Sequence, residues 1–351
     1  MEKPCSLIIQ PSYQLFNTSI RTLSASFQRY CQTSSSPLPT GGLIITPEVR
    51  YQSELYIPIS IFGKALQRIL TLSCPHYYGS ALHTITPSWA DWCSHPSIQA
   101  LGCGCDPGRF LHALLTNYEL LTRFVFSNGL PYHHNGRGFG RYPEQTQIII
   151  RFLRFLRSSG QNQLVMEDIG CGSGEGTWEL LLYAQEARWS PLQVHCRGIT
   201  PNPLEVWAAT QRWLPHLTTR CQHYRQKTEP LIQSGWGECI DFAEEGIIPI
   251  SPPSPQRDLI LCNGLLAGPA LNSQEQLTAA IKSITNRLAS GGLLCIADRF
   301  HDGWKQQEAY RMRTSLLEQS GFHLFPKDDS LFAFKDHVPP LFKKQTMALC
   351  G

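Results

Sequence analysis

The stretch from Gln163 to Ala184 constrains this chain more than any other. Leu164 to Ile169 is a short, mostly apolar run that ends in a glycine cluster, Gly170, Gly172 and Gly174. Trp178, Leu181 and Leu182 then recur at helical spacing. A run this short suits a strand covered on both faces, and the stripe that follows suits a helix packed on the same sheet. Glycines between them allow a sharp turn and let a ligand come close without Cβ atoms in the way. A strand, glycine turn and helix in this order point to a nucleotide-like ligand. The dinucleotide fingerprint G-x-G-x-x-G/A fails, because the sixth residue is Glu175 counted from Gly170 and Thr177 counted from Gly172.

Charge narrows the ligand further. A pyrophosphate wants amide donors and no adjacent anion, yet Asp168 and Glu175 flank this turn. Two carboxylates suit a ligand carrying positive charge, and S-adenosylmethionine has both an ammonium and a sulfonium. Asp168-Ile-Gly-Cys-Gly-Ser-Gly174 resembles the acid-x-G-x-G-x-G motif of class I S-adenosylmethionine-dependent methyltransferases. Within that superfamily, Gly172-Ser-Gly-Glu175 before an aromatic-led helix is similar to the chemotaxis receptor glutamate methyltransferases. The resemblance implies an α/β fold: a Rossmann-like, mostly parallel seven-stranded sheet with helices on both faces. It implies S-adenosylmethionine as cofactor, held by Asp168, Gly170, Cys171, Gly172, Gly174 and Glu175.

Strand and helix patterns go on alternating downstream, as a parallel sheet requires. Val194 to Ile199 reads as the second strand; Thr200 or Asn202 can cap the helix after it, with Pro203 in its first turn. Where the superfamily usually has a ribose-binding acid, this chain has Thr200, and the Asn202 amide is the nearby substitute. Gly237 to Phe242 reads as the third strand end; the resemblance gives Asp241 the adenine amino group and Phe242 the ring face. Asp258 to Leu266 matches the fourth strand and its turn, with Cys262-Asn263-Gly264 where receptor methyltransferases have Cys-Arg-Asn. Leu277, Ile281, Ile284 and Leu288 mark a helix ended by Gly291-Gly292, followed by a strand over Leu293 to Ala297. A last helix near Gln306 to Gln319 precedes Phe322 to Phe325 and Leu331 to Phe334, the expected terminal antiparallel pair.

Residues 1–143 read as a mixed, largely helical helper and substrate-recognition region with a lid loop, and residues 144–351 as the cofactor-binding domain. Leu7 to Ile9 and Leu43 to Ile45 are candidate strands. Ile59 to Leu72 and Phe110 to Phe126 have helical stripes, and Gly102 to Asp106 is a turn. Thr116, Asn117 and Arg123 keep the spacing of a segment that precedes the catalytic domain in receptor methyltransferases. There the arginine helps hold the cofactor near its methionine carboxylate, and Arg123 matches it. The loop from Asn128 to Pro143 offers Tyr132, His133, His134, Arg137 and Arg141 for substrate binding. Gln145 to Arg157 is then the helix that leads into the glycine strand.

Composition sets the outer limits. Charged residues at 16% and apolar residues at 42% mark a globular chain, and 351 residues allow one large or two ordinary domains. A net charge of +3 does not by itself imply nucleic acid, which is not expected as a partner. No apolar run reaches membrane-spanning length and the start lacks a signal-peptide pattern, so a cytoplasmic protein is expected. Thirteen cysteines include no C-x-x-C pair, and reduced thiols without a metal are expected. The functional expectation is methyl transfer to a protein carboxylate or a small molecule. The alternative is a non-catalytic cofactor-binding or protein-interaction module, suggested by Thr200 and the altered Cys262 turn. A carboxylate acceptor needs no general base; for an amine or hydroxyl acceptor, His133 and His134 are nearest in sequence.

Overall fold

The computed structural model describes residues 5–75, 86–130, 138–248, 255–268, 271–297, 307–327 and 330–346. Two compact units divide the chain: residues 1–133 with 214–218, and residues 134–213 with 219–351.

In the first unit the regular structure among the described residues is helical, its longer members being α1 (Asn17–Thr33), α2 (Pro47–Tyr56), α3 (Ile59–Ser73), α4 (Trp89–Ser94), α5 (Pro107–Thr116) and α6 (Tyr118–Gly129). Its core is aromatic. Phe62, Trp92, Phe110 and Phe124 follow one another edge to face at centroid separations of 4.7, 4.9 and 5.5 Å. Two expectations change here. The apolar runs near Ile9 and Ile44 are irregular chain rather than strands, and these two side chains are 56% and 81% exposed. The stripe from Phe110 to Phe126 is two helices. Asn117 leaves helical geometry (φ −122°, ψ 104°) and its side chain accepts from Leu120 N, capping α6. A hydrophobic stripe continues unbroken across such a cap, which is why the period alone hides it.

The second unit holds a seven-stranded sheet of order β3-β2-β1-β4-β5-β7-β6. The strands are β1 (Leu164–Ile169), β2 (Val194–Thr200), β3 (Ile240–Glu244), β4 (Arg257–Leu261), β5 (Leu288–Ala297), β6 (Phe322–Lys327) and β7 (Ser330–Lys335). The first five run parallel and β7 is antiparallel to both neighbours, giving the Rossmann-like arrangement with the expected terminal hairpin. Helices α7 (Pro143–Ser158) and α8 (Glu175–Glu186) pack together on one side, where Phe152 of α7 meets Phe334 of β7 at 5.9 Å. The other side is covered by α11 (Gln274–Arg287) and α12 (Gln307–Gln319), whose Leu277, Ile281, Ile284 and Leu317 join Ile169, Ile260 and Leu294 in one core. Between β2 and β3 lie α9 (Pro203–Gln211) and α10 (Thr218–Gln233), and α13 (Pro340–Thr346) closes the described chain. Gly291 and Gly292 do not end α11 as expected. The helix stops at Arg287 and β5 starts at Leu288, so both glycines lie inside the strand.

Beneath the sheet's middle a charge network ties these layers. Glu167 of β1 is fully buried and accepts from Arg257 Nη2 at 3.0 Å and Arg287 Nη1 at 3.1 Å. Arg287 Nη2 continues to Glu245 at 2.5 Å. Burying two guanidiniums requires such partners.

Candidate functional site

A cleft of about 430 Å³ opens at the carboxyl ends of β1, β2 and β4, where ligands of open parallel sheets bind. Its floor is the glycine turn. Gly170, Gly172 and Gly174 have φ of +74°, +55° and +88°, the left-handed region that favours glycine. Gly170 N and Cys171 N both donate to Ile199 O, at 2.9 and 3.0 Å, which pins the turn to β2. The glycines differ in surroundings. A Cβ on Gly174 would lie 2.6 Å from Ala209 Cβ and 2.9 Å from Phe242 Cε1 and the Tyr224 hydroxyl, whereas one on Gly172 meets nothing within 4 Å.

Asp168 lines the cleft, is 4% exposed, and accepts from Thr177 Oγ1 at 2.8 Å. Burial pushes its carboxyl up to about 7, aided by nearby Glu167 and opposed by the Thr177 hydrogen bond. Among the described residues no ion pair reaches it. Glu175, expected to share its role, is placed differently. Its Oε1 accepts from Arg220 Nε at 2.6 Å and its Oε2 from Ser173 Oγ at 2.5 Å, so its charge is already matched. Arg220 Nη2 also donates to Ser173 Oγ at 3.1 Å, and Tyr224 OH to Ser173 O at 2.9 Å. The turn is therefore held from α10, which the sequence did not signal.

Past β2, Thr200 and Asn202 both line the cleft. Asn202 Oδ1 accepts from Leu204 N at 3.1 Å, so it caps α9. Thr200 Oγ1 donates to Glu205 Oε2 in the first turn of α9. A carboxylate is thus present where the expected acid is missing, carried by Glu205, whose carboxyl burial pushes up against that hydrogen bond. Asn263, after β4, exchanges two 3.0 Å hydrogen bonds with Gln145 of α7, and both line the cleft. The far wall is α8 again: Glu175, Glu179 and Tyr183 follow at four-residue spacing, a stripe visible in the sequence once Glu175 is known to face the ligand.

Two cofactor expectations lie off this cleft. Asp241 is expected near a strand end, but β3 runs on to Glu244 and its register sets Asp241 beside Arg197, three positions short of Thr200. There it is 47% exposed and pairs with Arg197 at 3.3 Å and His195 at 3.5 Å. Phe242 packs under Gly174 and Gly198 instead of lining the opening. Arg123 belongs to the first unit, where Nη2 donates to Ala100 O at 2.6 Å. Of the loop candidates, Arg141 lines the cleft with its guanidinium 5.0 Å over the Tyr142 ring, while Tyr132, His133, His134 and Arg137 lie outside the described residues. No group of residues able to hold a metal occurs among the described residues, and none of their helices is long and apolar enough to cross a membrane.

No protein-family model and no curated protein matches the sequence. Solved structures do resemble it. The N-methyltransferase NodS from Bradyrhizobium japonicum WM9, in complex with S-adenosyl-L-homocysteine, is 19% identical with a TM-score of 0.37, covering 59% of this chain and 92% of its own. Magnesium protoporphyrin IX methyltransferase from Synechocystis PCC 6803, with S-adenosylmethionine bound, is 14% identical (TM-score 0.36; 62% of this chain, 96% of its own). An rRNA methylase from Streptococcus thermophilus is 14% identical (TM-score 0.35; 54% of this chain, 95% of its own). At these identities and TM-scores, the reading of the site rests on its own geometry.

Proposed function

We propose that this chain is an S-adenosylmethionine-dependent methyltransferase that binds its cofactor in the cleft over the glycine turn. The observation that carries the reading is Asp168: a buried carboxylate, lining the cleft, with no cation paired to it among the described residues. A group so placed favours a positively charged ligand, which restores the ionised form that burial disfavours. Open space at Gly172 admits such a ligand close to the backbone.

The cofactor would supply an electrophilic methyl group, which leaves alignment and exclusion of water to the protein. Asp168 accepts the ammonium. Glu205, oriented by Thr200, accepts from the ribose hydroxyls. Arg141, which lines the cleft, is the cation placed for the carboxylate at the ligand's end. Asn263 and Gln145 hold each other in place beside the reacting end. The acceptor panel comprises small molecules, protein carboxylates as the receptor-methyltransferase likeness suggests, and RNA.

Calorimetric titration with S-adenosylhomocysteine tests the cofactor reading, and an Asp168→Ala variant should lose that binding while keeping its circular dichroism spectrum. Product formation across the acceptor panel then separates an enzyme from a module that binds the cofactor without catalysis. A chain that binds neither S-adenosylmethionine nor S-adenosylhomocysteine overturns the proposal.

A further inference from the structure

Glu179 lies one turn along α8 from Glu175, and both line the cleft. Their situations differ. Glu175 is matched by Arg220, but among the described residues Glu179 takes part in no ion pair. Its Oε1 accepts a short hydrogen bond from Gly140 N, and Tyr183, the next turn along, lies against it. The Tyr183 hydroxyl is held in turn by Thr146 Oγ1 at 2.9 Å. Groups facing Glu179 are thus a backbone amide from residue 140, a phenol from α8, and the acids Glu175 and Asp168. Burial pushes the carboxyl up to about 7, with those two acids adding to the shift and the Gly140 and Tyr183 hydrogen bonds opposing it. Asp168, Glu179 and Glu205 therefore lack a described counter-ion on one cleft, and of the three Glu205 is held by the Thr200 hydroxyl, which leaves Asp168 and Glu179 for cations. One cationic ligand end satisfies one of them.

We infer that Glu179 is the recognition carboxylate for a second cation in the same cleft, and that the methyl acceptor is an amine. This rests on the methyltransferase reading above. In the step that follows, the acceptor's ammonium gives one proton to the Glu179 carboxylate, which frees the nitrogen lone pair. That pair forms the new N–CH3 bond as the methyl–sulfur bond breaks, the bonding electrons staying on sulfur. The product leaves as a methylammonium, and Glu179 returns its proton to water. A carboxylate with a pKa raised towards neutrality suits both halves of that exchange. Tyr183 is a positioning residue, fixing the carboxylate through its hydroxyl.

Benzylamine, benzyl alcohol and benzoate serve as probes, titrated into the full chain saturated with S-adenosylhomocysteine. Benzylamine should bind about tenfold more tightly than benzyl alcohol, as a charge-assisted hydrogen bond does over a neutral one, and benzoate should not bind. Glu179→Gln should erase that preference while changing S-adenosylhomocysteine affinity less than about twofold. Tyr183→Phe, which keeps the ring, should reduce the preference in part. Equal binding of amine and alcohol to the wild-type chain overturns the inference and leaves the cofactor reading standing. A large loss of S-adenosylhomocysteine binding in a folded Glu179→Gln variant also overturns it, by assigning Glu179 to the cofactor. If S-adenosylhomocysteine fails to bind the wild type, the cofactor reading falls, and the amine-to-alcohol preference of the ligand-free protein still decides the role of Glu179.

Discussion

Gly172 and Gly174 are two positions apart, yet a side chain would harm each for a different reason. At Gly174 a methyl group meets Ala209, Phe242 and Tyr224 inside 3 Å, so Gly174→Ala should cost folding stability and lower the thermal midpoint. At Gly172 the space is open but φ is +55°, so a valine there adds backbone strain to its obstruction of the ligand: S-adenosylhomocysteine binding should vanish in calorimetry and the thermal midpoint should fall, while circular dichroism keeps its native shape. Asp168 gives a pH signature with a definite sign. Its folded pKa of about 7 lies above the ordinary value of 3.8, so between those limits the folded state binds the extra proton. Stability of the ligand-free protein should therefore fall as pH rises from about 4 to about 7, and then level off. Urea unfolding of Asp168→Asn should show a shallower slope, the remainder coming from Glu179, whose carboxyl burial also raises to about 7. With Glu205 hydrogen-bonded to Thr200, Thr200→Asp would set two carboxylates together, and cofactor affinity should drop at pH 8. Glu205→Gln should weaken adenosine and S-adenosylhomocysteine alike, by roughly tenfold.

Glu167 joins three elements: β1 carries it, β4 brings Arg257, and α11 brings Arg287. Replacing it by alanine leaves two buried guanidiniums short of a partner, a loss of roughly 3–5 kcal/mol measurable by urea unfolding. Nothing in the one-dimensional pattern marks Glu167, since a carboxylate inside a strand run reads only as an interruption. Elements bounded by glycine or proline were legible. β1, β2, β4 and the terminal pair all lie where short apolar runs place them, because such runs have few other ways to hide. Boundaries without punctuation were not. The Asn117 break sits inside a continuous stripe, and Gly291-Gly292 reads as a stop although β5 absorbs both. The cleft follows the same logic. Its turn residues announce themselves by conformation, whereas Glu179, Glu205 and Arg220 are helix residues whose relevance comes only from where the helices lie.

For the molecule as a whole, the two candidate arginines belong to different units: Arg123 to the first, Arg141 to the second. S-adenosylhomocysteine has a carboxylate and adenosine has none, so the comparison isolates the contact. Arg141→Ala should weaken S-adenosylhomocysteine by about tenfold and leave adenosine unchanged. Arg123→Ala should instead act on the stability of its own unit, where it holds the Ala100 carbonyl. One detail of the division reaches further. Residues 214–218 belong to the first unit although the chain on both sides of them belongs to the second. Leu214 is 1% exposed there, and His216 Nε2 lies 2.7 Å from Leu130 O. A gene fragment starting at residue 134 would carry this peptide away from the residues it folds with, exposing Leu214 and orphaning His216. A cut at residue 133 therefore divides the first unit itself, and a fragment starting at residue 134 should express with that peptide unsupported.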